Sequence, residues 1–123
     1  MAEIRSYHDL DVWKHSRSLV QVVYELTQTY PKQEMFALAA QMRRCAISIP
    51  SNIAEGYSRH GTKDYINFVS IAFGSAAELE TQLLLSLDLG YVDSGQFDNA
   101  LNLLKPVQKM LFNLRQSLQA KIS

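Results

Sequence analysis

Residues Phe36–Leu83 read FALAAQMRRCAISIPSNIAEGYSRHGTKDYINFVSIAFGSAAELETQL, and their periodicity decides the fold. Met35, Ala39, Met42, Ala46, Ile49 and Ile53 recur at steps of four and three, the mark of a helix seam facing a neighbour. At about 100° per residue, Gln41, Arg44, Ser48, Asn52 and Glu55 gather on the opposite side. Between them runs a second apolar row, Phe36, Ala40, Ile47 and Ala54, with Arg43 among them. The second half repeats the design. Tyr65, Phe68, Ala72, Ala76, Leu79 and Leu83 form an inner seam, and Ile66, Phe73 and Leu84 a further row. A helix of a monomer needs one apolar stripe, so two on each of these helices predict burial on two sides. Phe36, Ile47, Ile66, Phe73 and Leu84 are thus the expected contacts between copies of the chain.

Outward from this pair, Ser6 or Asp9 is able to cap a first helix over about 9–30, whose inner row is Trp13, Ser16, Val20, Val23 and Thr27. Tyr30-Pro31 ends it, because the residue before proline is driven out of the helical region. The second helix spans about 35–57. Its seam keeps phase across Pro50, which predicts one kinked helix, with Ser48 or Ser51 compensating the carbonyl that Pro50 leaves without a donor; the alternative is a restart capped by Asn52 with Glu55 three residues on. Gly56 and Gly61 read as helix-ending residues, and Thr62 as the cap of a third helix over about 62–89, closed by Gly90. Asp93 with Gln96 forms a capping-box pattern for a fourth, about 94–121. Phe97, Ala100, Leu104, Val107, Leu111, Leu114 and Leu118 supply its row. Short connections between sequential helices predict an all-α, up-down-up-down antiparallel four-helix bundle over a single domain, residues 1–123.

Composition narrows the function classes. The 123 residues are 47% hydrophobic and 20% charged, which fits an ordinary globular core and not a disordered chain. Formal net charge is zero and the pI is about 6.8, unlike a strongly basic nucleic-acid-binding domain. One cysteine, Cys45, excludes a disulfide framework within the chain and a cysteine-rich zinc site. No run of uninterrupted apolar residues reaches bilayer-spanning length, and the start of the chain lacks a signal-peptide core, so a cytoplasmic location is expected.

The chemistry of the residues points away from catalysis. A di-metal bundle needs Glu-x-x-His on inward faces, which the predicted helices lack. His8, Asp11 and His15 share a helix side but read as a solvated entry, so neither a metal nor another cofactor is expected. Cys45 reads as a small buried hydrophobe, and Gly74-Ser75 as a point of close helix packing. The polar row Gln41, Arg44, Ser48, Asn52 and Glu55 has a counterpart on the third helix that includes Glu78, and Arg44 is placed to pair with Glu78 or Glu55. Its readings are a polar interface, a solvated face or a groove for a ligand or RNA. Arg43-Arg44 and Arg59-His60-x-x-Lys63 are the densest basic groups. Tyr57 and Tyr65 flank the latter, a combination able to engage phosphates and stack on unpaired bases.

Gln41-Met42-Arg43-Arg44, Ser48-Ile49-Pro50-Ser51-Asn52-Ile53-Ala54-Glu55-Gly56 and Gly74-Ser75-Ala76-Ala77-Glu78-Leu79-Glu80 resemble the 23S rRNA-intervening-sequence protein family, the bacterial "four helix bundle proteins". Leu10-Asp11-Val12-Trp13-Lys14 resembles that family's opening motif, and the likeness extends over about Tyr7 to Tyr91. The resemblance implies a non-enzymatic four-helix bundle that assembles as a homopentamer. It extends to the related accessory protein of diversity-generating retroelements, a basic pentamer that works with a reverse transcriptase and RNA. Association with RNA or an RNA-processing partner is the implied function, with a protein-interaction scaffold as the alternative. The chain departs from the pattern at Phe73, where relatives are expected to carry a basic residue, and in its neutral charge.

Overall fold

The computed structural model describes residues 3–122 and contains four helices: α1 (Asp11–Thr27), α2 (Leu38–Tyr57), α3 (Thr62–Asp88) and α4 (Ser94–Ala120). Each packs on two neighbours, α1 on α2 and α4, α3 on α2 and α4, closing a square antiparallel bundle. The expected seams are its core. Ala39, Met42, Ala46, Ile49 and Ile53 of α2 are fully buried, as are Val69, Ala72, Ala76, Leu79 and Leu83 of α3 and Ala100, Leu104, Val107 and Leu111 of α4. On α1 the buried line runs through Val12, Ser16, Leu19, Val23, Leu26 and Thr27, while Trp13 and Val20 sit half-buried beside it.

Helix ends show where local chemistry outweighs periodicity. Ser6 does form a capping box with Asp9, but it caps a 3-10 turn at Tyr7–Asp9; α1 starts at Asp11 with Leu10 at its cap position and no side-chain cap. After Thr27 the chain turns so that the Tyr30 hydroxyl donates to Ser86 Oγ at 2.7 Å. A second 3-10 turn, Lys32–Glu34, then delays α2 until Leu38, because Ala37 (φ −120°, ψ −104°) breaks the helical path. Met35 and Phe36 continue the apolar phase through this stretch, so the expected start at about 35 is too early.

The second helix passes unbroken through Pro50. Ser48 Oγ does not turn back to the freed carbonyl: it lies 2.8 Å from Ser75 Oγ on α3. Gly56 is inside α2 and does not end it. Its missing side chain admits α3, since a Cβ there would stand 2.8 Å from Phe68 Cβ and 2.9 Å from Tyr65 Cδ1. Gly74 has open space around it, so of the Gly74-Ser75 pair only the buried Ser75 meets α2, through Ser48, and the glycine required for close approach is Gly56. Gly61, not Thr62, holds the cap position of α3. Gly90 closes the helix at φ 77°, with Tyr91 N–H donating to Ser86 O and Gly90 N–H to Leu87 O, a Schellman ending. The Asp93–Gln96 capping box opens α4 as expected.

Candidate functional site: the outward face of the middle helix pair

The α2–α3 pair carries both polar and apolar candidates, and the bundle sorts them. Antiparallel packing sets Ser48 against Ser75 and so brings part of the polar row together: Asn52 Nδ2 donates to Ser48 O at 2.8 Å and to Ser48 Oγ at 2.9 Å. One turn up α2, the Cys45 thiol donates to Glu78 Oε2 at 3.6 Å, and Gln82 Nε2 donates to Cys45 Sγ at 3.5 Å. Burial pushes the Cys45 thiol up, and the Glu78 carboxylate beside it adds to the rise, so the sulfur stays protonated and a poor nucleophile. This is a hydrogen-bonded inter-helix seam.

Arg44 does not join it. Among the described residues it makes no ion pair: Glu55 is taken by Arg59 Nε at 3.1 Å and Glu78 by Cys45. The expected pairing fails because Arg44, like Gln41, points to solvent while Glu78 turns toward the seam. Arg43 diverges from its neighbour. Its Nε donates to the buried Thr27 Oγ1 at 2.9 Å and its guanidinium stacks over Tyr24 at 4.6 Å, so it ties α2 to α1. Arg59, His60 and Lys63 are exposed at the α2–α3 turn, with the Arg59 guanidinium 5.0 Å from the Phe68 ring centre. Tyr57 and Tyr65 meet edge to face at 6.1 Å, and burial pushes the Tyr65 hydroxyl up to about 12. His8, a candidate ligand at the α1 entry, packs in an aromatic group with Tyr7 at 4.4 Å and Trp13 at 4.9 Å. No cluster of three or more metal-ligating side chains occurs among the described residues.

The apolar rows divide as well. Phe36 is 96% exposed, and Ile47 and Leu84 are also exposed. Ile66 is half-buried against the core. Phe73 lies half-buried toward α4, its ring 6.5 Å from Phe112 and under the Arg115 guanidinium at 4.7 Å. Besides Leu84, the outward apolar residues here are Ile71 and Leu85 of α3 and Leu89 at its cap. Ile71, Leu85 and Leu89 fall on the row that also holds Glu78, expected to be polar. A full helical wheel would have shown them there, since Ile71, Glu78 and Leu85 are spaced by sevens.

Across this helix an 18-residue window reaches a mean hydropathy of 1.2, and only a third of it is buried within the chain. By length and composition α3 therefore meets the criteria for crossing a membrane, which a search for uninterrupted apolar runs misses. Glu78 and Glu80 lie within its length, however, and acidic groups at mid-bilayer cost about 2.5–3.5 kcal/mol each. Glu80 is bound to Lys105 Nζ at 2.8 Å and to Gln108 Nε2 at 2.9 Å on α4, which holds its carboxyl below the usual carboxylate range. This helix is one of four in a packed bundle and has a greasy outer face.

The sequence profile of the 23S rRNA-intervening sequence protein family matches residues 8–113. Among solved structures, a protein of unknown function from the S23 ribosomal protein family of Bacteroides thetaiotaomicron is similar in fold, with a TM-score of 0.77 and 26% identity, over 85% of this chain and 95% of that one. No curated protein matches.

Proposed function

The chain belongs to the 23S rRNA-intervening sequence protein family, and from that membership and its outward surfaces we propose a non-catalytic bundle that assembles with copies of itself and associates with RNA or an RNA-processing partner. The observation that carries the assembly is the set of exposed apolar residues at the end of α3, Leu84, Leu85 and its cap Leu89, with Phe36 at the same end of the bundle and Ile71 farther along the helix beyond Glu78. Apolar surface of this extent on one helix favours a partner surface over water. Five copies is the number the resemblance implies, and no membrane is needed. The family's description supports the reading of RNA association, with Arg59, His60 and Lys63 as exposed basic contacts. A cytoplasmic location accords with such a partner.

A scaffold that binds protein alone is the second reading. Zero net charge and the inward use of Arg43 favour it. Catalysis finds no support, because Arg44, Glu55 and Glu78 do not converge and the Cys45 thiol is held protonated. Purification with and without nuclease, followed by native mass and nucleic-acid content, separates the two readings. Nuclease-sensitive RNA bound in a salt-dependent way supports the first. A protein partner retained after nuclease, with no RNA at low salt, selects the second.

A further inference from the structure

The neutral chain is not neutral along its length. Antiparallel packing places residues 3–19, 48–75 and 108–122 at one end of the bundle and residues 20–47 and 76–107 at the other. Cross-helix contacts fix this division: Ser48 meets Ser75, Phe73 meets Phe112, and Glu34 accepts from Tyr91 at the far end. The first end holds eight lysine and arginine side chains against five carboxylates; the second holds four against seven. All three histidines, His8, His15 and His60, are at the first end. Helix dipoles do not produce the contrast, because two helices begin and two finish at each end, so their terminal charges oppose one another. The imbalance comes from side chains.

Two further features distinguish the cationic end. Among the described residues six of its eight cations lie outside ion pairs, the exceptions being Arg5 with Glu3 and Arg59 with Glu55, against three of four at the other end, so it offers phosphates twice as many unpaired cations. Three of the four arginine–ring contacts among the described residues also lie there, Arg43 over Tyr24 being at the other end. Arg17 lies 5.0 Å from the Trp13 ring centre, within the Tyr7–His8–Trp13 group, and Arg59 lies at the same distance from Phe68. Cations that follow a phosphate chain beside rings that receive unstacked bases are the two parts of a single-strand binding surface.

We infer that this cationic end, formed by the α1 entry, the α2–α3 turn and the last turns of α4, is the face the protein presents to single-stranded RNA, while the acidic end is turned away. The inference rests on the RNA association proposed above and divides the basic groups. Lys14, Arg17, Arg59 and Lys63 belong to the RNA face; Arg43 and Arg44 lie in the other half. Cyclic assembly would repeat this face once per subunit.

Two double variants with equal charge change test the assignment, each confirmed as folded by circular dichroism. Lys14→Glu with Lys63→Glu alters the cationic end, and Lys32→Glu with Arg44→Glu the acidic end. Binding of a fluorescent mixed-sequence single-stranded RNA is followed by anisotropy over a salt series. The first pair is expected to weaken binding at least about tenfold and to flatten the salt slope by about 1.4, from two lost phosphate contacts. The second is expected to change affinity less than about threefold. Equal loss in both pairs, or a greater loss in the second, overturns the end assignment while leaving RNA association standing. Absence of binding by the unaltered protein at low salt overturns both.

Discussion

At the scale of single residues, two glycines matter for different physical reasons. Gly56 is required for space and Gly90 for backbone conformation. Gly56→Ala should destabilise the bundle by about 1–3 kcal/mol, because Phe68 Cβ is too near the backbone to move aside and overpacking outweighs the gain in helix propensity. Gly90→Ala should cost about 1–2 kcal/mol from the left-handed conformation alone. Asparagine distinguishes them in denaturant unfolding: tolerated better than alanine at Gly90, which suits its left-handed preference, and worse at Gly56, where it is larger. Tyr65 supplies a pH signature. Its folded-state pKa of about 12 stands above the ordinary value of 10.0. Its contribution to stability is therefore complete below pH 10 and is lost as pH rises through about 12. Tyr65→Phe should flatten that alkaline limb in a pH series of melting curves. An unchanged limb would show that Tyr65 ionisation does not set it.

At the scale of elements, the same pH reasoning runs in the opposite direction for the α3–α4 contact. Lys105 and Gln108 hold Glu80 below the usual carboxylate value of 4.5. That contribution is present above the unfolded-state value and fades as pH falls through the depressed one. Lys105→Met should therefore weaken the protein at neutral pH more than at strongly acid pH, a difference that urea unfolding at the two pH values measures. The elements themselves were legible in their sequence because four buried rows repeat every three or four residues. Ala39, Met42, Ala46, Ile49 and Ile53 admit little else, and Asp93 with Gln96 marks a helix start by chemistry alone. Other features depended on contacts distant in the chain. Nothing local says that Gly56 rather than Gly74 meets a neighbouring helix, or that Arg43 crosses to Thr27. Phe73, two residues on from Ile71, lies about 200° around α3 from it, and that side is turned to α4. Met35 and Phe36 keep the apolar phase through backbone that is not helical, so periodicity alone starts α2 too early.

At the scale of the whole molecule, one bundle buries its core and still leaves Ile71, Leu85 and Leu89 outward on its most apolar helix. Copies of the chain covering that stripe account for a row that a solitary bundle has no reason to keep. Charging the stripe should separate the copies without melting each bundle: Ile71→Glu with Leu85→Glu is expected to lower the native mass while leaving the helical circular dichroism of the folded chain. The most direct test is the native mass of the unaltered protein, by light scattering after nuclease treatment. The account predicts a discrete assembly at a multiple of 14.0 kDa, with five copies the expected number. A single 14.0 kDa particle at working concentration would contradict it.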